Sequence, residues 1–376
     1  MSEDVLDNNL ALDSIKQFED ILCKEIIDAN NIFICGHVNS DYDALASSFA
    51  AARICKYLNK YAYIVIPNND IKSIAKDDRY GILNMIKEKQ YILLDSIDKR
   101  IMTDNDLLIV VDTSVDERIP INIDYDEFCD VVIIDHHAKA ENIKLPITCN
   151  GKKPTELIIP KAISSASEIL YYLIDGIILK DKMNYYRTDV DPNYFTALLA
   201  GINLDTDRYH KDMFSSTHDC VSSLIKHGAS QEFVDSLFKR NLKLDQKIYD
   251  LVFKAESFTN RVMIAVDESG KYTHEEISMV ANRLSSDYKN DVVFVFTKQE
   301  DGKYDYCIRT SNGTFGVAEI ARIISDGAGG GRENAASGNP IYIDKDNIKE
   351  QSITNHIQNK VMSILRFKNK RKETND

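Results

Sequence analysis

Two short runs decide most of what this chain can become. DLLIVVD (Asp106 to Asp112) and DVVIID (Asp130 to Asp135) are continuous aliphatic stretches with no alternation of polar and apolar positions. A strand with one wet face alternates, whereas a uniform run suits a strand buried on both faces of a parallel sheet. Two further strand-length runs precede them, IFIC (Ile32 to Cys35) and YIVIP (Tyr63 to Pro67). Helix-like segments lie between and after: DALASSFAAARICKYLNK, SASEILYYLIDGIIL and NYFTALLAGINL. This rhythm predicts an α/β domain, an open and mostly parallel sheet with helices on both faces.

With 376 residues, the chain exceeds one ordinary core and suits two domains. We expect a first domain over 17–215 and a helical connector over 216–258, where long charged side chains run on without Pro. A smaller α+β domain is expected over 259–366. In it RVMIAVD and VVFVFT read as strands and HEEISMVANRLSSDY as a helix. The Asp-Gly step of QEDGK then turns the chain into YDYCIRT as a hairpin. GVAEIARIIS reads as another helix, ahead of the glycine-rich GAGGGRENAASG. Residues 1–16 and 367–376 are expected to be disordered tails.

The seven cysteines are scattered and form no CxxC pair, so they read as reduced, mostly buried thiols rather than a disulfide framework or zinc ribbon. A net charge of −13 argues against a protein that coats long nucleic acid, but not against a small anionic substrate in a local pocket. No apolar run approaches the ~18 residues needed to cross a bilayer. The acidic N-terminus lacks a signal-peptide layout. The expected location is the cytoplasm.

Chemistry-bearing residues gather at the ends of the expected strands. Gly36-His37-Val38-Asn39-Ser40-Asp41-Tyr42-Asp43 follows the first strand and precedes a helix, at the edge where open α/β sheets place ligands. One of its acids could simply cap that helix; His37 is then left without a reason. Asp112 ends DLLIVVD and Asp135-His136-His137 stands at the end of DVVIID, while Asp205 closes the segment AGINLD. A strand ending in Asp is common, but three expected strand ends on one sheet edge and a fourth segment all delivering Asp or His are not. Carboxylate and imidazole ligands without thiolate favour manganese, iron, magnesium or zinc in a binuclear site. A cation is also the simplest way to make so many acids compatible in one crevice.

GHVNSDYDALAS, VVDTS, IIDHH and AGINLDTD, in this order, resemble the DHH phosphoesterases over residues 30 to 210. IRTS (Ile308 to Ser311) and GGGRENAASG (Gly329 to Gly338) are similar to features of the DHH-associated C-terminal domain. Within the family the pattern is most similar to short-oligonucleotide nucleases that also dephosphorylate pAp, and to cyclic-di-AMP phosphodiesterases; AISSASEILYYL resembles a helix start of both groups. The resemblance implies that His37, Asp41 and Asp112 bind one metal ion. Asp43, Asp112, His136 and Asp205 would bind the other, with Asp112 bridging. His137 would face the substrate phosphate and Asp135 would support it. Arg309, Ser311, Gly329, Gly330, Gly331 and Arg332 would contact substrate from the second domain. Arg332 stands where those two groups usually carry His. It can bind phosphate bidentately but cannot donate a proton at neutral pH.

The expected activity is manganese-dependent hydrolysis of phosphate esters in nanoRNA of a few residues or in pAp, by two divalent metal ions. No long-duplex or membrane partner is expected, and a homodimer is admissible. Cyclic-di-AMP or pApA hydrolysis in signalling is the alternative. The lack of a sensory or membrane module favours the scavenging role. A catalytically inactive nucleotide-binding protein is the reading from another class. Pyrophosphatase and polyphosphatase relatives are expected to carry a different second domain.

Overall fold

The two uniform runs form the middle of a six-stranded parallel sheet in the computed structural model. It describes residues 3–74, 79–120, 125–137, 148–180, 190–239, 242–259, 261–310, 316–325, 327–331 and 334–341. The chain divides into two units, Met1–Lys239 and Arg240–Asp376.

The first unit runs α1 (Glu3–Asp28), β1 (Ile32–Cys35), α2 (Tyr42–Tyr57), β2 (Ala62–Val65), α3 (Asn68–Ile74), α4 (Tyr80–Glu88) and β3 (Ile92–Leu94). It continues with β4 (Leu107–Val111), β5 (Asp130–Asp135), β6 (Thr155–Ile158), α5 (Ala166–Ile174), α6 (Pro192–Asp205), α7 (Ser215–Lys226) and α8 (Gln231–Leu237). Strand order is β3-β2-β1-β4-β5-β6, with every pair parallel. Chain order reverses between β1 and β4, which opens a crevice at their carboxyl ends.

Both faces of the sheet are dry. Ile32 and Ile34 of β1 and Leu107, Ile109 and Val111 of β4 join the main core, with side chains from all eight helices. Phe33, Cys35, Leu108 and Val110 face the other way, under Ile97, Ile119, Tyr125 and Phe128. Helices on both faces were expected; among the described residues the second face is covered by short 3₁₀ turns and loops instead. Right-handed crossovers send the β4-to-β5 connection to that face, and its two turns, Asp116–Arg118 and Tyr125–Glu127, are only one turn long.

The expected N-terminal tail over 1–16 is instead helical from Glu3. Ala11, Ile15, Phe18, Leu22 and Ile26 recur every three to four residues and bury that stripe in the core. Burial of a side chain the size of Ile15 is worth about 1.5–3 kcal/mol, and the stripe contributes several such terms toward ordering an otherwise polar segment. The tail over 367–376 lies outside the described residues.

The second unit runs α9 (Leu242–Val252), β7 (Glu256–Thr259), β8 (Val262–Asp267), α10 (His274–Asp287), β9 (Val292–Lys298), β10 (Tyr304–Thr310), α11 (Val317–Ile324), β11 (Gly329–Gly331) and β12 (Ala335–Gly338). Its sheet has the order β11-β12-β10-β9-β8-β7 and is antiparallel except between β8 and β9. The β9–β10 hairpin turns at Gly302, where φ is +82°. One face carries α9 and α10, the other α11.

Among the described residues of 216–258 there is no free-standing connector. Cys220, Leu224, Val234 and Leu237 of α7 and α8 belong to the first core, and Ile248, Leu251 and Val252 of α9 to the second. Each helix is amphipathic and buries its stripe in the nearer unit. Among the described residues, no helix is long and apolar enough to cross a membrane.

Candidate metal centre

The loop after β1 is shaped before any ligand is considered. A Cβ on Gly36 would lie 2.7 Å from Ala44 Cβ, so glycine lets α2 return tightly over the strand end. Val38 N–H donates to Arg118 O (2.7 Å), Asn39 N–H to Asp70 Oδ2 (2.8 Å) and Arg79 Nη1 to Ser40 O (2.8 Å). Asp41 is the N-cap of α2, its Oδ1 accepting from the amides of Asp43 and Ala44. Its other oxygen stands 3.4 Å from His37 Nε2. The capping and ligand readings of Asp41 are therefore both met, one oxygen each.

Asp112 sits at the crevice itself, 2% exposed, with φ at +60°. That left-handed conformation costs an L residue about 1–2 kcal/mol, least for Asp or Asn. Its Oδ2 lies 3.4 Å from His37 Nε2, and its Oδ1 lies 3.4 Å from His136 Nε2 and 3.7 Å from His137 Nδ1. His136 Nε2 also stands 3.1 Å from Asp205 Oδ2 and 4.0 Å from Asp43 Oδ2.

Two further ring nitrogens, Nδ1 of His37 and Nδ1 of His137, have partners of their own. His37 Nδ1 lies 2.8 Å from Val38 O; donating there leaves a lone pair on Nε2. Asp135, fully buried, accepts on Oδ1 from the amides of His136 (2.8 Å) and His137 (3.1 Å) and pairs with His137 Nδ1 (2.8 Å). Past Asp205 the backbone winds left-handed through Asp207, Arg208 and Tyr209. Asn203 Nδ2 holds this turn by donating to the Tyr209 hydroxyl at 2.6 Å.

Electrostatics reveal the crowding. Burial disfavours a charged His37 ring, but Asp112 and Asp41 outweigh it and raise its pKa to about 10. His136 is likewise raised, with Asp112 and Asp205 overcoming burial. Burial also works against ionised Asp112, yet His136 and His37 hold it below the usual carboxylate range. Asp43 moves the other way: burial, then the charges of Asp112 and Asp205, push its carboxyl well up. In Asp135, the hydrogen bond from His137 overcomes burial and lowers the carboxyl.

Three groups of side chains bring candidate ligand atoms within 4.8 Å of one another: His37, Asp41 and Asp112; Asp43, Asp112, His136 and Asp205; and Asp112, Asp135, His136 and His137. Asp112 is common to all. Asp112 Oδ1, His136 Nε2 and Asp205 Oδ2 are buried without a hydrogen-bond partner among the described residues, although His136 Nε2 lies 3.4 Å from Asp112 Oδ1 and 3.1 Å from Asp205 Oδ2. Atoms that close without hydrogen-bonding aim at a shared point, and a cation there would satisfy all three. The residues fit divalent metal ions, with oxygen and nitrogen donors and no thiolate.

All eight expected residues of the first unit meet at this one place. In the second unit Arg309 is half-buried, with Nε donating to Asn282 Oδ1 (2.7 Å), Nη2 to Ser278 Oγ (2.6 Å) and Nη1 to Ile308 O (2.9 Å). Gly329 and Gly331 have packing reasons of their own: a Cβ would lie 2.2 Å from Ala321 O or Ala335 O. Gly330 would meet no described atom. Ser311 and Arg332 lie outside the described residues. Sequence reasoning passed over Asp70, Arg79, Asn203 and Tyr209, whose supporting roles carry no local signature.

Residues 31–202 match the family described as DHH family, N-terminal domain, and residues 260–355 match the DHHA1 domain. The chain is 25% identical over 320 residues to the cyclic-di-AMP phosphodiesterase PdeA of Listeria monocytogenes, covering 83% of this chain and 45% of that protein. It is 27% identical over 323 residues to the cyclic-di-AMP phosphodiesterase GdpP of Geobacillus thermodenitrificans, again 83% of this chain and 45% of the relative. The chain thus spans less than half the length of either. An exopolyphosphatase-related protein from Bacteroides fragilis shares the fold at TM-score 0.66 and 16% identity, over 93% of this chain and 96% of that one.

Proposed function

Because this chain belongs to the DHH family, pairing a DHH N-terminal domain with a DHHA1 domain, we propose that it hydrolyses phosphodiester bonds in short nucleotides using two divalent metal ions, manganese being the expected pair. The observation that carries the reading is Asp112, one buried carboxylate whose two oxygens stand 3.4 Å from His37 and from His136. His37, Asp41 and Asp112 would hold one ion, and Asp43, Asp112, His136 and Asp205 the other. When bound, such a pair supplies Lewis acidity toward a phosphoryl oxygen and lowers the pKa of water.

The side chains add orientation. Asp135 fixes the His137 ring through Nδ1, which leaves Nε2 for a phosphate oxygen. Ser278 and Asn282 hold the Arg309 guanidinium in one plane with donors to spare for a phosphate. Ser311, Gly329, Gly330, Gly331 and Arg332 are the further substrate contacts proposed in the DHHA1 unit. Gly330 is the best placed of the glycines, since packing does not require it.

Cyclic-di-AMP, or its linear form pApA, is the substrate favoured by the printed activity of the relatives that match most of this chain. Those relatives extend well beyond the matched stretch, so the matched stretch by itself has no weight against signalling. Purified protein with Mn²⁺ should be offered cyclic-di-AMP, pApA, pAp and a five-nucleotide RNA, and initial rates compared. Preferred turnover of the two di-adenylates supports the reading. Preferred turnover of pAp or RNA returns the assignment to the scavenging role. Binding without metal-dependent release of any product would leave an inactive nucleotide-binding protein.

A further inference from the structure

Asp43 is a fully buried carboxylate, and a fixed direction for it needs donors that cannot move. It finds them 123 residues away: the Ala166 amide donates to Oδ2 and the Ser167 amide to Oδ1, each at 2.8 Å. These are the first two amides of α5, whose cap Ser165 takes the third through Glu168 N–H (3.1 Å). The orphan donors of a helix start are thus satisfied mostly by a carboxylate from another helix.

The rest of the neighbourhood fixes α5 itself. Glu168, also fully buried, accepts on Oε2 from Ser164 N–H (2.9 Å), Ser164 Oγ (2.6 Å) and Thr217 Oγ1 of α7 (2.8 Å). It grips the residue before the cap, and through Thr217 ties the turn into α5 to a third helix. On the other side α6 presses in at Gly201, where a Cβ would lie 2.2 Å from Ser167 Oγ and 2.8 Å from Asp43 Oδ1. Asp205 stands one helical turn beyond Gly201 on the same face.

We infer that the start of α5 is a positioning device for Asp43, with Glu168 and Thr217 as positioning residues that act through it on one of the two metal subsites. The inference rests on the two-metal reading of the centre. Asp43 belongs to the group with Asp112, His136 and Asp205 and not to the group with His37 and Asp41. Loosening α5 therefore weakens one ion and spares the other. General destabilisation would weaken both.

The test is calorimetric titration of the metal-free full chain with Mn²⁺ alone, with unfolding midpoints measured in parallel. Glu168→Gln and Thr217→Val should each weaken one of the two binding steps about tenfold, the low end for a disturbed supporting contact. The other step should stay within about twofold, and Thr217→Ser should restore the first, since it keeps the hydroxyl. If Glu168→Gln does not fold, the Thr217 pair carries the test. Two wild-type steps in the folded variants, or equal weakening of both, overturn the inference while leaving the metal centre standing. Failure of the wild-type chain to take up two Mn²⁺ overturns the two-metal reading and this inference with it.

Discussion

Asp112→Asn isolates the shared position with little change of shape. Asparagine tolerates φ near +60° almost as well as aspartate, so the backbone strain at this residue is kept constant. What changes is chemistry. The amide offers one oxygen, so either His37 Nε2 or His136 Nε2, each 3.4 Å from the present carboxylate, now faces an N–H donor. The shared negative charge is lost as well. Disturbing a supporting contact of a metal ligand costs about 10–100-fold in affinity, a floor for replacing a ligand itself. With both subsites affected the product is about 10²–10⁴-fold, or about 2.7–5.5 kcal/mol at 1.36 kcal/mol per factor of ten. Initial rates and a Mn²⁺ titration of the same preparation read this directly. The metal-free unfolding midpoint should stay within about 5 °C, since a mutually repelling charge is removed as a partner is lost. Two Mn²⁺ bound at wild-type affinity, or an unchanged kcat/KM, would refute the bridging role.

Three further outcomes are expected. His37, raised from 6.5 to about 10 in the folded chain, stabilises the metal-free protein fully below pH 6.5 and loses that contribution as pH climbs through about 10; urea unfolding of the apo form should weaken over that window, while Mn²⁺ affinity rises up to about tenfold per pH unit for each proton displaced. A flat affinity between pH 7 and 9 would contradict this. Gly201→Ala should cost about 1–3 kcal/mol by overpacking against Ser167 and Asp43, seen in the same unfolding assay; a change under about 0.5 kcal/mol would show that α6 can back away freely. Removal of residues 1–16 should lower the unfolding midpoint of the first unit by exposing the seat of Ala11 and Ile15, and an unchanged midpoint would restore the view of that segment as a tail.

The site was legible because each of its residues closes a segment with its own signal. Asp112 and Asp135 end runs too uniform to be anything but buried strands, and His37 stands two residues past a third strand. Asp205 was readable only as the end of a helix, since its approach to His136 depends on how closely α6 packs. The missed helix α1 also had a signal, apolar residues at helical spacing, but acidic surroundings masked it. The connector was misjudged for a related reason: periodicity shows that a helix is amphipathic, not which core receives its stripe.

Local composition by itself determined strands β1, β2, β4, β5, β8, β9 and β10, the carboxyl-edge loops and the inventory of acids and imidazoles, because strand burial and turn chemistry are written in adjacent residues. Strands β3, β6, β7, β11 and β12 are short and emerged only in the structure. Tertiary structure alone decided which atoms converge. The order β1-β4-β5 puts Asp112 between His37 and His136, and the left-handed turn at Asp112 divides its oxygens between them. It likewise supplied the amides of Ala166 and Ser167 to Asp43. Backbone donors carry no residue identity, so no sequence pattern marks the helix end that a distant carboxylate will cap.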